Sequence, residues 1–244
     1  MRVVGHNRIP GPELTPSAQG LATARVHQNA GLALAAVPTT GIRHGIYRFA
    51  SHEAMNRATE EALVRAIRLN VRAREAVTAP DHASEAQGTA RPASMEDLKL
   101  LLRALDDNGV EYLLIGGYAR YALGYQRGTV DIGIVLQPTV EQGERVRHAL
   151  LVLPQGVAKD IDPAWFAEGE TIRVADAFIV DLMFNACGET YQSLLPYALT
   201  IDFEGVPVRT LNLEGLLKTK QTSRDMGRLD RLVLERALDA SKNH

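Results

Sequence analysis

The feature that most constrains this chain is an apolar run closed by two glycines, followed by a second apolar run that opens on an acid. It reads Tyr112-Leu-Leu-Ile115, then Gly116-Gly117-Tyr118-Ala119, then Arg127-Gly-Thr129-Val-Asp131-Ile132-Gly133-Ile134-Val135. Short apolar runs bounded by residues without side chains predict buried strands that stop in tight turns. The first strand gives way to a helix, so the two strands belong to a sheet with helical connections. Backbone amides at a glycine turn can approach phosphate oxygens closely. A carboxylate on the neighbouring strand could hold a metal ion beside that phosphate. The pattern points to nucleotide chemistry.

The same alternation extends along the chain and predicts an α/β (α+β) fold, a small mixed sheet with helices packed on it. Ser94 precedes Met95-Glu96-Asp97, a helix start, and the apolar positions Leu98, Leu101, Leu102 and Leu105 run to a stop at Asn108-Gly109. Strands are expected at 110–115, 130–136, 171–174 and 178–184, the last containing Asp181. Helices are expected near 117–124, 139–151 and 189–195, with a loop around Trp165 to Gly169. Asp202-Phe203-Glu204-Gly205 turns between two strands, and helices follow at 213–222 and 229–240.

Upstream, the sequence reads as three further pieces. Residues 1–40, broken by Pro10, Gly11, Pro12 and Pro16, read as a loose extension. Residues 41–77 read as a strand at Gly45-Ile-Tyr-Arg-Phe49 and a long helix from about His52, capped by Ser51. Met55, Leu63, Ile67 and Val71 repeat at multiples of four and are expected to form its buried stripe. Residues 78–94, with Pro80, Gly88 and Pro92, read as a linker to a domain spanning 95–244. Charge divides the chain similarly. Residues 1–80 hold ten Arg and five Glu, net +5, while the rest holds 17 basic and 24 acidic residues, net -7. Opposite signs suggest two segments with different jobs and complementary charge, against the alternative of a chance fluctuation.

Several classes are excluded. Cys187 is the single cysteine, so neither an intrachain disulfide nor a thiolate metal cluster is possible; it reads as a small apolar filler. No apolar run reaches bilayer-spanning length, and no charged segment precedes an apolar core at the N-terminus, so a cytoplasmic location is expected. Aromatics at 5% argue against base-stacking platforms. The seven histidines show no zinc-like spacing, and neither a P-loop nor a Gly-x-Gly-x-x-Gly turn is present.

Taken together, Gly116-Gly117, a short helix, Arg127-Gly-Thr129-Val-Asp131 and the later strand residue Asp181 resemble the nucleotidyltransferase superfamily, closest to its toxin-like branch in bacterial toxin–antitoxin and abortive-infection systems. The stretch Leu216-Leu-Lys-Thr-Lys220-Gln-Thr-Ser-Arg224-Asp225 resembles that branch's helical lysine motif. The resemblance covers about residues 96–240. It implies a magnesium-dependent transfer of a nucleotide from an NTP to RNA, such as tRNA, or to a protein side chain. Asp131 and Asp181 would ligate Mg2+, Gly116 and Gly117 would shape the triphosphate turn, and Lys220 would neutralise phosphate charge with help from Arg224. Arg127 and Thr129 would position the strand and the nucleotide. The chemistry behind the pattern is in-line displacement clamped by divalent ions on hard oxygen ligands, with i and i+2 strand residues presented on one face.

The chain departs from the family pattern at Gly133, where a second strand acid is expected. Three accounts stand open: a relative without catalysis, a different acid such as Glu144 or Asp176 in its place, or a replacement that disarms a toxic enzyme. The enzymatic reading therefore stands beside a non-catalytic module that binds nucleotide, RNA or protein. The segment 41–77 resembles short proteins encoded beside such toxins, which implies a cognate antitoxin or the chain's own N-terminal segment as a partner. The plainer reading is an extra helix on the core.

Overall fold

Strands buried on both faces read as continuous apolar runs, and half-buried strands alternate; both kinds are present in one sheet. The computed structural model describes residues 37–75, 88–123 and 129–220, with Val26, Leu234 and Glu235. In chain order its elements are β1 (Gly45–Phe49), α1 (His52–Glu75), α2 (Met95–Asp107), β2 (Tyr112–Ile115), α3 (Gly116–Ala122), β3 (Asp131–Leu136), α4 (Val140–Leu150), α5 (Trp165–Glu168), β4 (Thr171–Ala175), β5 (Ile179–Met183), α6 (Tyr191–Leu194), β6 (Ala198–Phe203), β7 (Val206–Leu211) and α7 (Leu213–Lys218). The class is α/β.

The sheet is mixed, with strand order β1-β4-β5-β3-β2-β7-β6. β3 runs parallel to β5 and antiparallel to β2, and β2 runs parallel to β7. β2 and β5, buried at every position, occupy the interior of the sheet, whereas the edge strand β6 alternates exposed and half-buried residues. α2 packs Leu98, Leu101, Leu102 and Leu105 into the core, all fully buried. Ser94 caps it, and Asp97 accepts from the Ser94 amide at 2.7 Å, closing a capping box.

Three expectations change in the folded chain. The loop expected around Trp165 to Gly169 contains the short helix α5, closed by Gly169 in the left-handed region. The helix from Leu213 stops at Lys218 instead of continuing to residue 222, and Thr219 donates back to the Leu216 carbonyl at 2.8 Å. The helix expected at 229–240 lies outside the described residues apart from Leu234 and Glu235, as does all of 1–25.

The third concerns α1. Of the expected buried stripe only Met55 is buried; Leu63, Ile67 and Val71 are 58%, 54% and 47% exposed. Steps of four residues advance 40° too far on a helix of 3.6 residues per turn, so that stripe winds away from the core. The face that packs is lined by small residues, Ala62 and Ala66. The reason is a close backbone approach: a Cβ on Gly41 would lie 2.0 Å from the Ala62 carbonyl oxygen. β1 and α1 are joined to the main sheet through β1, which pairs with β4 from Gly45↔Ala175 to Phe49↔Thr171. The end of the expected linker is also tied in. Ala90 exchanges hydrogen bonds with Thr40 and Ile42, and Ala93 bonds Val130. Both alanines are fully buried.

Candidate functional site

Register decides which side chains meet. Tyr47 pairs with Arg173, Arg173 with Asp181, Asp181 with Gly133, and Gly133 with Ile115, so one row crosses five strands. Paired residues share a face, and Asp131 lies two residues before Gly133 on that same face. The row therefore gathers an arginine, two aspartates and a glycine from the three neighbouring strands β4, β5 and β3.

A cavity of about 400 Å³ opens over this row. Its walls include Gly116, Gly117, Asp131, Gly133, Asp181 and Lys220. Five of the residues expected to form a site are thus brought together. Thr129 stands beside them: its hydroxyl donates to Asp131 Oδ1 at 3.2 Å, and its side chain fills the space next to Gly117. A Cβ on Gly117 would fall 2.4 Å from Thr129 Cβ, so only glycine fits there. Gly116 has φ +78°, in the left-handed region, with open space around it. Arg127 and Arg224 lie outside the described residues. Lys220 lies in a turn past the end of α7, its amide bonded to the Leu217 carbonyl at 3.0 Å.

Asp181 is not an open ligand. Arg173 forks onto it, Nε to Oδ1 at 2.7 Å and Nη2 to Oδ2 at 2.8 Å, and both side chains are almost wholly buried. The third guanidinium nitrogen donates to Thr59 Oγ1 of α1 at 3.0 Å, and the guanidinium carbon lies 5.7 Å from the Phe49 ring centre. Burial pushes the Asp181 carboxyl upward, Arg173 pulls it down, and nearby Asp131 pushes it up again, with the net direction upward. Burial works against the charge on Arg173, but its bonds to Asp181 prevail and raise its pKa. A bidentate fork of this kind is the strongest form of side-chain pair.

Gly133 leaves the row without a side chain where an acid was expected. Its backbone is ordinary, and an added Cβ would meet Met183 Cε at 2.9 Å, the mobile end of a flexible side chain. The two other acids considered do not replace it, since neither lines the cavity. Glu144 pairs with Arg147 on α4 at 2.9 Å. Asp176 is fully buried and accepts from the Gln155, Val157 and Ala177 amides at 2.7–3.0 Å, holding a turn.

The donor set can be weighed against magnesium. Asp131 offers a carboxylate, both Asp181 oxygens are engaged by Arg173, and Gly133 offers nothing. Among the described residues no three His, Cys, Asp or Glu side chains are placed to share an ion. In this arrangement the residues do not fit a two-ion cup.

Sequence reasoning missed five contributors. Arg173 carried one signal, a charge in the middle of the buried run Thr171-Ile-Arg-Val-Ala175. His52, Asn56 and Thr59 of α1 line the cavity, a placement that depends on how α1 docks. Cys187 lines it too, with φ +56° and its Sγ 3.1 Å from the Thr219 carbonyl oxygen. No helix among the described residues is long and apolar enough to cross a membrane. No family model, curated protein or solved structure matches the chain.

Proposed function

We propose that this cavity binds a nucleoside triphosphate, and that the chain is a nucleotidyltransferase-like module held short of turnover by Gly133 and by the Arg173–Asp181 pair. The observation that carries the reading is the convergence of Gly116, Gly117, Asp131, Gly133, Asp181 and Lys220 on one cavity. Gly116 and Gly117 leave backbone close to the ligand, and Lys220 supplies positive charge for phosphate. Arg173 neutralises the carboxylate that a catalytic ion would need, so no chemical step runs through magnesium in this reading. The non-catalytic module is therefore the better-supported of the two readings.

The second reading keeps catalysis: a magnesium-dependent toxin-type enzyme transferring a nucleotide to RNA, such as tRNA, or to protein in the cytoplasm, disarmed at one position. The space beside Gly133 favours it, because only the end of Met183 crowds an added Cβ, with Ile115 at ordinary contact distance. Alpha-labelled NTPs, Mg2+ and total tRNA, offered to the chain and to Gly133→Asp, separate the readings. Thermal shift on NTP addition without labelling in either form supports the binding module. Labelling by Gly133→Asp alone supports the disarmed enzyme, and no shift and no labelling removes both.

The chain's own N-terminal segment is the partner this reading includes, since α1 walls the cavity. Removing residues 1–80 is a poor test of it, because that deletion also strips β1 from the sheet edge. Thr59→Val is cleaner: it removes one bond to Arg173 and leaves the helix in place. A changed thermal shift on NTP addition in that variant supports the partnership, and an unchanged one removes it.

A further inference from the structure

A second concavity, on the outer side of α1, carries a different chemistry. It lies between α1 and the backbone bridge Arg43↔Thr89, and Arg43, Arg65, Arg68 and Arg72 line it. The first half of α1 is mixed, with Glu53, Glu60 and Glu61. From Ala62 to Arg74 there are four arginines and no acid. Arg65, Arg68 and Arg72 follow the i, i+3, i+7 spacing that aligns residues on one helix face. Among the described residues no carboxylate pairs with any of the four groove arginines. Elsewhere Arg48, Arg57, Arg91, Arg145, Arg147 and Arg173 each have one.

Such a row is self-repelling. Like charges three and four residues apart on a helix destabilise it; Glu61 stands one turn before Arg65 and the Gly41 carbonyl accepts from Arg65, but neither cancels the charge of the row. An external polyanion would. The three helical arginines span about 10 Å of axis at 1.5 Å per residue, more than a single phosphate occupies. Guanidinium forks match phosphate oxygens in pairs. Gly41 and Gly88 are also among its walls. The aromatic content is small, which suits contact with backbone phosphates in preference to stacked bases.

We propose that this groove binds the phosphodiester backbone of a single nucleic-acid strand, without base selectivity. The proposal stands on the groove alone and does not depend on the chemistry of the cavity. A lipid surface is the less favoured occupant, because the arginines line a concavity and the exposed apolar residues Leu63, Ile67 and Val71 lie on a different sector of the helix.

The test is fluorescence anisotropy of a labelled 20-nucleotide RNA and a DNA of the same sequence, titrated with the full chain across a series of salt concentrations and without NTP. The informative variant is Arg43→Gln/Arg68→Gln/Arg72→Gln. Arg65 is kept because its Nε bonds the Gly41 carbonyl at 3.0 Å and it holds the fold. The expected result is at least tenfold weaker binding and a salt slope lower by about two, near 0.7 for each phosphate no longer neutralised. The corresponding triple lysine variant retains the slope. Arg145→Gln/Arg147→Gln, on the distant α4, changes neither. Matching far-UV circular dichroism confirms that the variants are folded, and the single variant Arg68→Gln, at an exposed position, gives a partial loss should the triple one unfold. A chain that binds neither strand, or a folded triple variant with unchanged affinity and slope, overturns the proposal. So does arginine-dependent binding to phosphatidylserine vesicles in the absence of strand binding.

Discussion

Among the described residues, two arginine–carboxylate forks do different things. Arg91 holds Asp97 at 2.5 and 2.8 Å at the start of α2, where Arg91 is 40% exposed. Arg173 holds Asp181 at 2.7 and 2.8 Å beneath α1, where both groups are shut from water. The first completes a helix cap. Burial alone would push Asp97 up, but the bonds from Arg91 and Ser94 hold it below the ordinary carboxylate range. In the second, burial dominates and Asp181 is pushed up. The same pair of groups is thus a structural clasp where the arginine reaches water and a charge lock in a candidate site. Solvent access separates the two roles.

The contrast breaks first at Arg173. Arg173→Met strands a buried carboxylate and is expected to cost about 3–5 kcal/mol in chemical denaturation. Arg173→Met/Asp181→Leu recovers most of that loss, because an apolar pair has no charge to desolvate. A loss below about 1 kcal/mol for the single change would show that the pair is not a buried ion pair. The cavity floor is the next place to press. Gly117→Ala drives a methyl into Thr129 and is expected to cost about 1–3 kcal/mol, while an unchanged melting curve would mean that Thr129 moves freely.

At the half-exposed fork, Asp97→Asn is expected to cost about 1–2 kcal/mol at neutral pH. Its pH dependence sharpens the comparison. A folded pKa below the unfolded value gives stability that is complete above the unfolded pKa, near 3.9, and lost as pH falls through the folded one. The gap between wild type and Asp97→Asn should therefore shrink below about pH 4; a gap that persists unchanged at about pH 2 contradicts the assignment. The smallest effect belongs to Gly133→Ala, expected within about 1 kcal/mol of wild type, since glycine weakens a strand and only Met183 must yield.

Much of the fold was legible because it is written in local periodicity. β2 and β3 followed from apolar runs between glycines and acids, and α2 from Ser94, four leucines and Asn108-Gly109. The site was half legible. Gly116, Gly117, Asp131 and Asp181 announced themselves as residue types out of place in apolar runs, and they do share a cavity. Arg173 gives the same signal in β4, but its meaning lies in its partner, which no spacing identifies. The stripe expected on α1 lies on the wrong face. Spacing shows that a helix has an apolar stripe but not whether a glycine backbone will come close enough to require alanine.

By itself, then, the sequence determined which segments become strands and helices and where a turn without side chains must lie, because those preferences act over a few residues. Tertiary structure alone decided that Asp181 belongs to Arg173, that Ala62 and Ala66 are buried while Leu63 borders the open cavity and Ile67 is exposed, and that α1 roofs the cavity. Pairing of charges and choice of face depend on register between strands and on docking across long stretches of chain, and register is fixed only when the whole sheet assembles.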